Sequence, residues 1–147
     1  MLMAEESVAE NNHEDFFPSI LVFCCNWCSY AGADFAGVSR YQYPPNIRIV
    51  RVMCSGRVEP AFILKALQEG ADGVLVSGCH IGDCHYISGN TFTKSWFEKL
   101  RPILIKQLGI DERRVRLEWV SAAEGRRFAD IITEFTNSIK ALGPLVR

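Results

Sequence analysis

Four short, mostly apolar runs restrict what this chain can fold into. They read SILVFCC (19–25), IRIVRVMC (47–54), DGVLVSGC (72–79) and RVRLEWVS (114–121). A short apolar run rich in β-formers, with turn residues at its ends, suits a strand covered on both faces, the usual situation in a parallel sheet. The segments between the runs carry helical patterns. SYAGADFAGVSR (29–40) reads as a small-residue helix, ended by the two prolines of YQYPPN. VEPAFILKALQEG (58–70) spaces Phe62, Leu64, Ala66 and Leu67 helically and stops at Gly70. Residues 91–108 place Phe92, Trp96, Phe97, Leu100, Leu104 and Leu108 on a third helix, with Pro102 as a kink or break. Residues 121–143 open with the capping-box pair Ser121 and Glu124 and align Phe128, Ile131, Ile132, Phe135, Ile139 and Leu142 on one face. The order is βαβαβαβα. It predicts a single α/β domain, an open parallel sheet of about four strands with helices on both faces, of flavodoxin or Rossmann type.

Composition supports one such domain and narrows its partners. The chain has 147 residues, 48% of them hydrophobic, which is enough for a packed core. Net charge is −1, but residues 1–15 hold five carboxylates and no Lys or Arg, so the rest is mildly basic, about +4. The expectation is a flexible acidic arm over 1–17, dispensable for folding, followed by the folded domain at 18–147. A charge of about +4, with no aromatic-basic motif and no recognisable DNA-binding helix pair, does not suggest nucleic acid. No stretch approaches the roughly 20 apolar residues of a membrane helix, and the start lacks the basic and apolar regions of a signal peptide. The expected location is therefore the cytoplasm, with no membrane partner. Thiols stay reduced there, so clustered cysteines favour metal binding or redox chemistry over a disulfide framework.

The six cysteines follow the strands. Cys24 and Cys25 end the first apolar run, Cys54 the second and Cys79 the third, while Cys28 and Cys84 fall in the loops that follow. In an open parallel sheet these strand ends share one edge, where ligands bind at the point of strand-order reversal. Cys25 and Cys28 form a C-x-x-C pair able to wrap one metal atom, and Cys79 and Cys84, in CHIGDCHY (79–86), can supply a second pair. Gly78 and Gly82 allow unusual backbone conformations and expose amides that can donate to sulfur. Four thiolates satisfy an iron–sulfur cluster or a zinc ion. A thioredoxin-like dithiol could use Cys25 and Cys28 but leaves four cysteines without a role. The spacing does not match the two Cys-His pairs of a Rieske centre, so His80 and His85 read as supporting donors or loop-packing residues. Cys24 adjoins Cys25 in a strand, points to the opposite face, and reads as a buried hydrophobe. Cys54 is placed either to bind or to pack beneath the site. Arg57 is either a surface residue or a neighbour of the site.

Other chemistries lack their residues. No Ser/His/Asp set, phosphate loop or paired acids emerge. GADFAG (32–37) misses the dinucleotide spacing and reads instead as a place for close helix packing.

At FCCNWCSYAGAD, YPPNIRIVRVMCSGRVEP, GADGVLVSGCHIGDCHYISGN and SAAEGRRFA the sequence closely resembles the delta subunit of methyl-viologen-reducing hydrogenase, the small iron–sulfur component linked to heterodisulfide reductase. The likeness covers residues 19–143. It implies a 2Fe–2S protein that transfers electrons in methanogenesis, from a hydrogenase or a formate dehydrogenase to the flavin-containing A subunit of heterodisulfide reductase. That flavin bifurcates electrons between ferredoxin and the heterodisulfide of coenzymes M and B. The resemblance places the family's cysteines on Cys25, Cys28, Cys54, Cys79 and Cys84, five candidates for four ligand positions, with Cys24 the least secure. It also implies a protein that is not catalytic alone. A zinc-stabilised adaptor and a stand-alone thiol oxidoreductase are the alternatives.

Overall fold

A computed structural model describes residues 16–145; the acidic arm expected at 1–17 lies almost wholly outside them. Within that range the chain alternates strand and helix four times: β1 (Ile20–Cys25), α1 (Ser29–Val38), β2 (Ile47–Val52), α2 (Pro60–Glu69), β3 (Gly73–Gly78), α3 (Gly89–Leu108), β4 (Val115–Trp119) and α4 (Gly125–Leu142). The strands form one sheet in the order β2-β1-β3-β4, every neighbouring pair parallel. The expected α/β architecture is therefore present, but β2, at the edge of the sheet, is largely exposed rather than covered on both faces. Strand order reverses between β1 and β3, so the switch point lies where Cys25 ends β1 and Cys79 follows β3.

Side-chain alternation along β1 divides the core. Ile20, Val22 and Cys24 face α1 and α4, where they meet Ala33, Ala36, Phe128, Ile132 and Phe135. Phe23 lies on the other face, with Val74 and Val76 of β3 against Ile63, Leu67, Phe97, Leu100 and Leu104 of α2 and α3. α1 and α4 approach closely because each offers a glycine. A Cβ on Gly32 would meet the Ser121 carbonyl oxygen at 2.7 Å, and one on Gly125 would meet Phe35 Cδ1 at 2.4 Å. The close packing expected of GADFAG is thus realised.

Several boundaries differ from the sequence reading. α3 begins at Gly89 and continues through Pro102 without a break. The segment 121–124 is a turn, and α4 starts only at Gly125. Half of the capping box forms there, with the Ser121 N–H donating to Glu124 Oε1 at 2.9 Å. In α2 the buried pair is Ile63 and Leu67, four residues apart on the inward stripe, whereas Phe62 is exposed. Phe92 and Leu108 of α3 are also exposed, while the rest of its expected apolar face is covered to varying degrees.

Candidate metal centre

Each thiol reaches the site by the element that carries it. Cys25 ends β1, Cys28 stands just before α1, Cys54 precedes the 3₁₀ turn Ser55–Arg57, Cys79 follows β3, and Cys84 sits in the loop leading to α3. Cys25, Cys54, Cys79 and Cys84 form one buried cluster, and half-buried Cys28 packs against it. Cys24 is also buried, but in the core beneath α1 and α4. Burial and the adjacent Cys25 push its thiol up to about 12, which suits a hydrophobe better than a ligand.

Sequence neighbours are not the closest partners. The Cys25 and Cys79 sulfurs lie 3.6 Å apart, and the Cys54 and Cys84 sulfurs 3.7 Å apart. Cys25 pairs with Cys79 and Cys54 with Cys84, across different loops, rather than as the C-x-x-C and C-x4-C pairs anticipated from spacing, while Cys28 also interacts with Cys79. Among the described residues, no three thiol, imidazole or carboxylate groups converge where a single metal ion could sit.

Backbone amides surround the sulfurs. The Ser29 N–H donates to Cys25 Sγ at 3.3 Å, and the Gly56 N–H to Cys54 Sγ at 3.4 Å. The hydrogen bond from Cys79 holds the Cys25 thiol well below its ordinary value, helped by the amides of Ser29 and Cys28, while the same bond pushes Cys79 up. Burial raises Cys54. Burial opposes ionisation of Cys84 as well, but the amides of Tyr86, Asn90 and Gly89 outweigh it and hold that thiol low. Each close pair therefore contains one sulfur disposed to carry negative charge.

Two residues that sequence reasoning missed build this cradle. A Cβ on Gly89 would stand 2.2 Å from Cys54 Sγ and 3.2 Å from Cys84 Sγ, so only glycine lets the start of α3 approach the thiols. Asn90, fully buried, donates from its side chain to the carbonyls of Cys79 and His80 at 2.9 and 2.7 Å, fixing the loop. Both stand at the end of GADGVLVSGCHIGDCHYISGN, just ahead of the helix expected from residue 91. Gly78 and Gly82 divide the role expected of them. Gly82 takes a positive φ of 95°, whereas Gly78 is a strand residue whose missing Cβ makes room for Ser55 and Trp119.

The histidines pack loops. His85 stacks on Trp27 with ring centroids 3.9 Å apart, and Trp27 Nε1 donates to the Tyr86 hydroxyl at 3.2 Å, which joins the 25–28 loop to the 84–86 loop. His80 Nε2 bonds Glu124 Oε1, and this contact together with the Ser121 amide holds the Glu124 carboxyl down at about 2. Arg57 is exposed on the wall of a groove that also contains Cys54. Ile87 adopts φ 71°, a left-handed conformation that costs a non-glycine residue roughly 1–2 kcal/mol, and its side chain is 85% exposed.

Fold and site together define a small doubly wound α/β domain with a nest of soft thiol donors at the strand-order switch, the kind of donor set that holds thiophilic metals. Residues 20–143 match the family model described as "Methyl-viologen-reducing hydrogenase, delta subunit", and the chain belongs to that family. It is 54% identical over 133 residues to the iron-sulfur D subunit of the vhc F420-non-reducing hydrogenase of Methanococcus voltae, covering 89% of this chain and 90% of the relative. It is likewise 54% identical over 131 residues to the iron-sulfur D subunit of the F420-non-reducing hydrogenase of Archaeoglobus profundus, with coverage of 89% and 95%. A third relative differs in size. The A subunit of the ferredoxin:CoB-CoM heterodisulfide reductase of Methanosarcina mazei is 50% identical over 137 residues, which are 93% of this chain but only 17% of that one.

Proposed function

We propose that this chain is a 2Fe–2S electron-transfer subunit, relaying electrons from a hydrogenase, or a formate dehydrogenase in its place, to the flavin-containing A subunit of heterodisulfide reductase for flavin-based electron bifurcation. The carrying observation is the arrangement of four buried thiols as two close pairs at the strand-order switch. A metal–thiolate tetrahedron with bonds of about 2.3 Å has an edge of about 3.8 Å, close to both sulfur separations. A 2Fe–2S cluster takes two thiolates per iron, whereas a 4Fe–4S cluster takes one per iron and a zinc ion takes all four. Two close sulfur pairs fit the first. Cys25 and Cys79 would hold one iron, Cys54 and Cys84 the other, with Cys28 as the fifth, half-buried thiol beside them.

When bound, such a cluster supplies a one-electron redox centre. The chain's own residues set its surroundings. The amides of Ser29, Gly56, Tyr86, Gly89 and Asn90 donate to sulfur and stabilise negative charge there. Burial of the four thiols limits water. The names of the relatives support both neighbours: two are iron-sulfur subunits of hydrogenases, and one is a heterodisulfide reductase A subunit that contains this domain in its own chain.

Anaerobic purification tests the reading. The expected protein is brown, with about two irons and two sulfides per chain and an electron paramagnetic resonance signal on reduction. A colourless chain with one zinc would make it an adaptor, and a metal-free chain that reduces disulfides would make it a thiol oxidoreductase.

A further inference from the structure

Two loops carry thiols of different close pairs, and aromatic rings clasp those loops together. The loop after β1 begins at Cys25 and contains Cys28, while the loop before α3 contains Cys84. Trp27 of the first and His85 of the second stack at 3.9 Å with only 17° between the ring planes. Trp27 Nε1 also donates to the Tyr86 hydroxyl at 3.2 Å, and the Tyr86 ring stands edge-on to His85 at 5.0 Å. Each loop is tied down behind its ring. The Asn26 N–H donates to the Val52 carbonyl at 2.7 Å, which pins the first loop to β2. The second is closed by the Ile87 N–H on the Cys84 carbonyl at 2.9 Å, with Ile87 in its left-handed conformation.

Burial does not account for this arrangement. Trp27 and Tyr86 are 43% and 46% exposed, His85 is exposed as well, and all three stand outside both core clusters. The residues they flank are the thiols: Trp27 lies between Cys25 and Cys28, and His85 follows Cys84 directly. Resting on the reading of these thiols as metal ligands, we propose that Trp27 and His85 are positioning residues for the metal. Their stack is a clasp that holds the Cys25/Cys79 pair against the Cys54/Cys84 pair and slows the loss of the metal that the thiols hold. For a metal to leave, one of the two loops must swing outward, and that motion separates the rings. The clasp therefore acts on retention rather than on folding, and each ring works only while the other is present.

The test follows release of iron from the loaded full-length chain, mixed anaerobically under reducing conditions with an excess of a ferrous chelator. Trp27→Ala and His85→Ala should each release iron about fivefold faster than wild type, the scale of one aromatic pair. The double variant should be no faster than either single one, since the second change removes a ring that has already lost its partner. His85→Phe keeps a flat ring without the imidazole nitrogens and should stay within about twofold of wild type. Circular dichroism of the loaded variants should match wild type. Effects that multiply in the double variant would overturn the proposal, as would wild-type release from both alanine variants. Release from His85→Phe as fast as from His85→Ala would also overturn it, by assigning the effect to a ring nitrogen. Should Trp27→Ala take up no iron, the two His85 variants carry the test with the same expected order. Metal content separates the two levels of inference. A wild-type chain that binds no metal ends both, a zinc-loaded one ends the electron-relay reading and moves the same comparison to a zinc chelator, and a brown one whose iron release ignores both rings ends only the clasp.

Discussion

The two ends of the sheet are built on opposite principles. At the carboxyl end of the strands, thiols crowd one another, a glycine is required, a β-branched residue sits in the left-handed region, and aromatic side chains face outward. At the amino end, polar groups are matched. Buried Asp72 accepts the Ser19 N–H at 3.0 Å on Oδ2 and the Leu145 N–H at 3.3 Å on Oδ1. Buried Arg114 donates to the carbonyls of Asp72 and Gly143 at 3.0 and 2.7 Å. Buried Asn46 donates to the Pro18 carbonyl at 2.8 Å and accepts from Thr136 at 3.4 Å. One end holds the fold closed, while the other crowds its thiols, carries the strained backbone of Ile87 and leaves aromatic side chains exposed. Substitutions at the carboxyl end should therefore change metal content with little effect on the fold, and substitutions at the amino end should do the reverse.

Cysteine replacement gives the largest expected effect. Cys54→Ser and Cys84→Ser should each abolish most of the bound iron and the visible spectrum, because serine is a poor substitute for thiolate, while Cys24→Ser and Cys28→Ser keep both. Iron analysis and paramagnetic resonance decide it. A fully loaded Cys84→Ser protein would remove Cys84 from the ligand set, and a Cys28→Ser protein without iron would make Cys28 one of the four. Gly89→Ala comes next. Its new methyl would overlap Cys54 Sγ, so reconstituted iron should fall by more than half while circular dichroism stays that of a folded chain. Unchanged loading would show that the α3 start can shift away at low cost.

Asp72→Ala tests the other end. It leaves two backbone donors without their carboxylate and should lower stability by about 2–4 kcal/mol, a fall in Tm of roughly 5–15 °C, with the spectrum of the folded fraction unaltered. Loss of iron at full stability would erase the distinction between the ends. The smallest effect concerns Glu124, whose contact with His80 steadies the loop after β3. Its folded carboxyl titrates at about 2, below its ordinary 4.5, so the stability it contributes is present above pH 4.5 and is lost as pH falls through 2. About a third of the side chain is exposed, so Glu124→Gln should cost less than about 1 kcal/mol at neutral pH. Denaturation midpoints of the two proteins should converge as the solution is acidified between those values; a gap that persists at pH 2 would assign the effect to shape rather than charge.

The sequence carried the architecture because the information is local and periodic. Each apolar run became a strand, and Cys25, Cys54 and Cys79 could be assigned to one edge from strand order alone. Alternation within β1 was enough to send Cys24 to the opposite face. The pairing of Cys25 with Cys79 and Cys54 with Cys84 was not legible, since it depends on how three loops cross in space rather than on spacing within any one of them. Gly89 was invisible for a related reason: the contact that demands glycine comes from Cys54, 35 positions away. Phe62 and Phe92 misled because an apolar residue in a helical pattern looks the same whether a neighbouring helix or another protein covers it. Pro102 misled in the other direction. One lost amide hydrogen bond does not interrupt a helix anchored on both sides of it by Phe97, Leu100 and Leu104.

The carboxylate of Asp72 has a further consequence. It binds backbone near the beginning and near the end of the described chain, so residues 19 and 145 lie side by side, at the pole opposite the thiols. A domain anchored this way is a cassette. Polypeptide can be attached at either side, or the whole unit inserted into a host chain, through linkers that never cross the working face. In Methanosarcina mazei the equivalent stretch makes up 17% of a much longer protein.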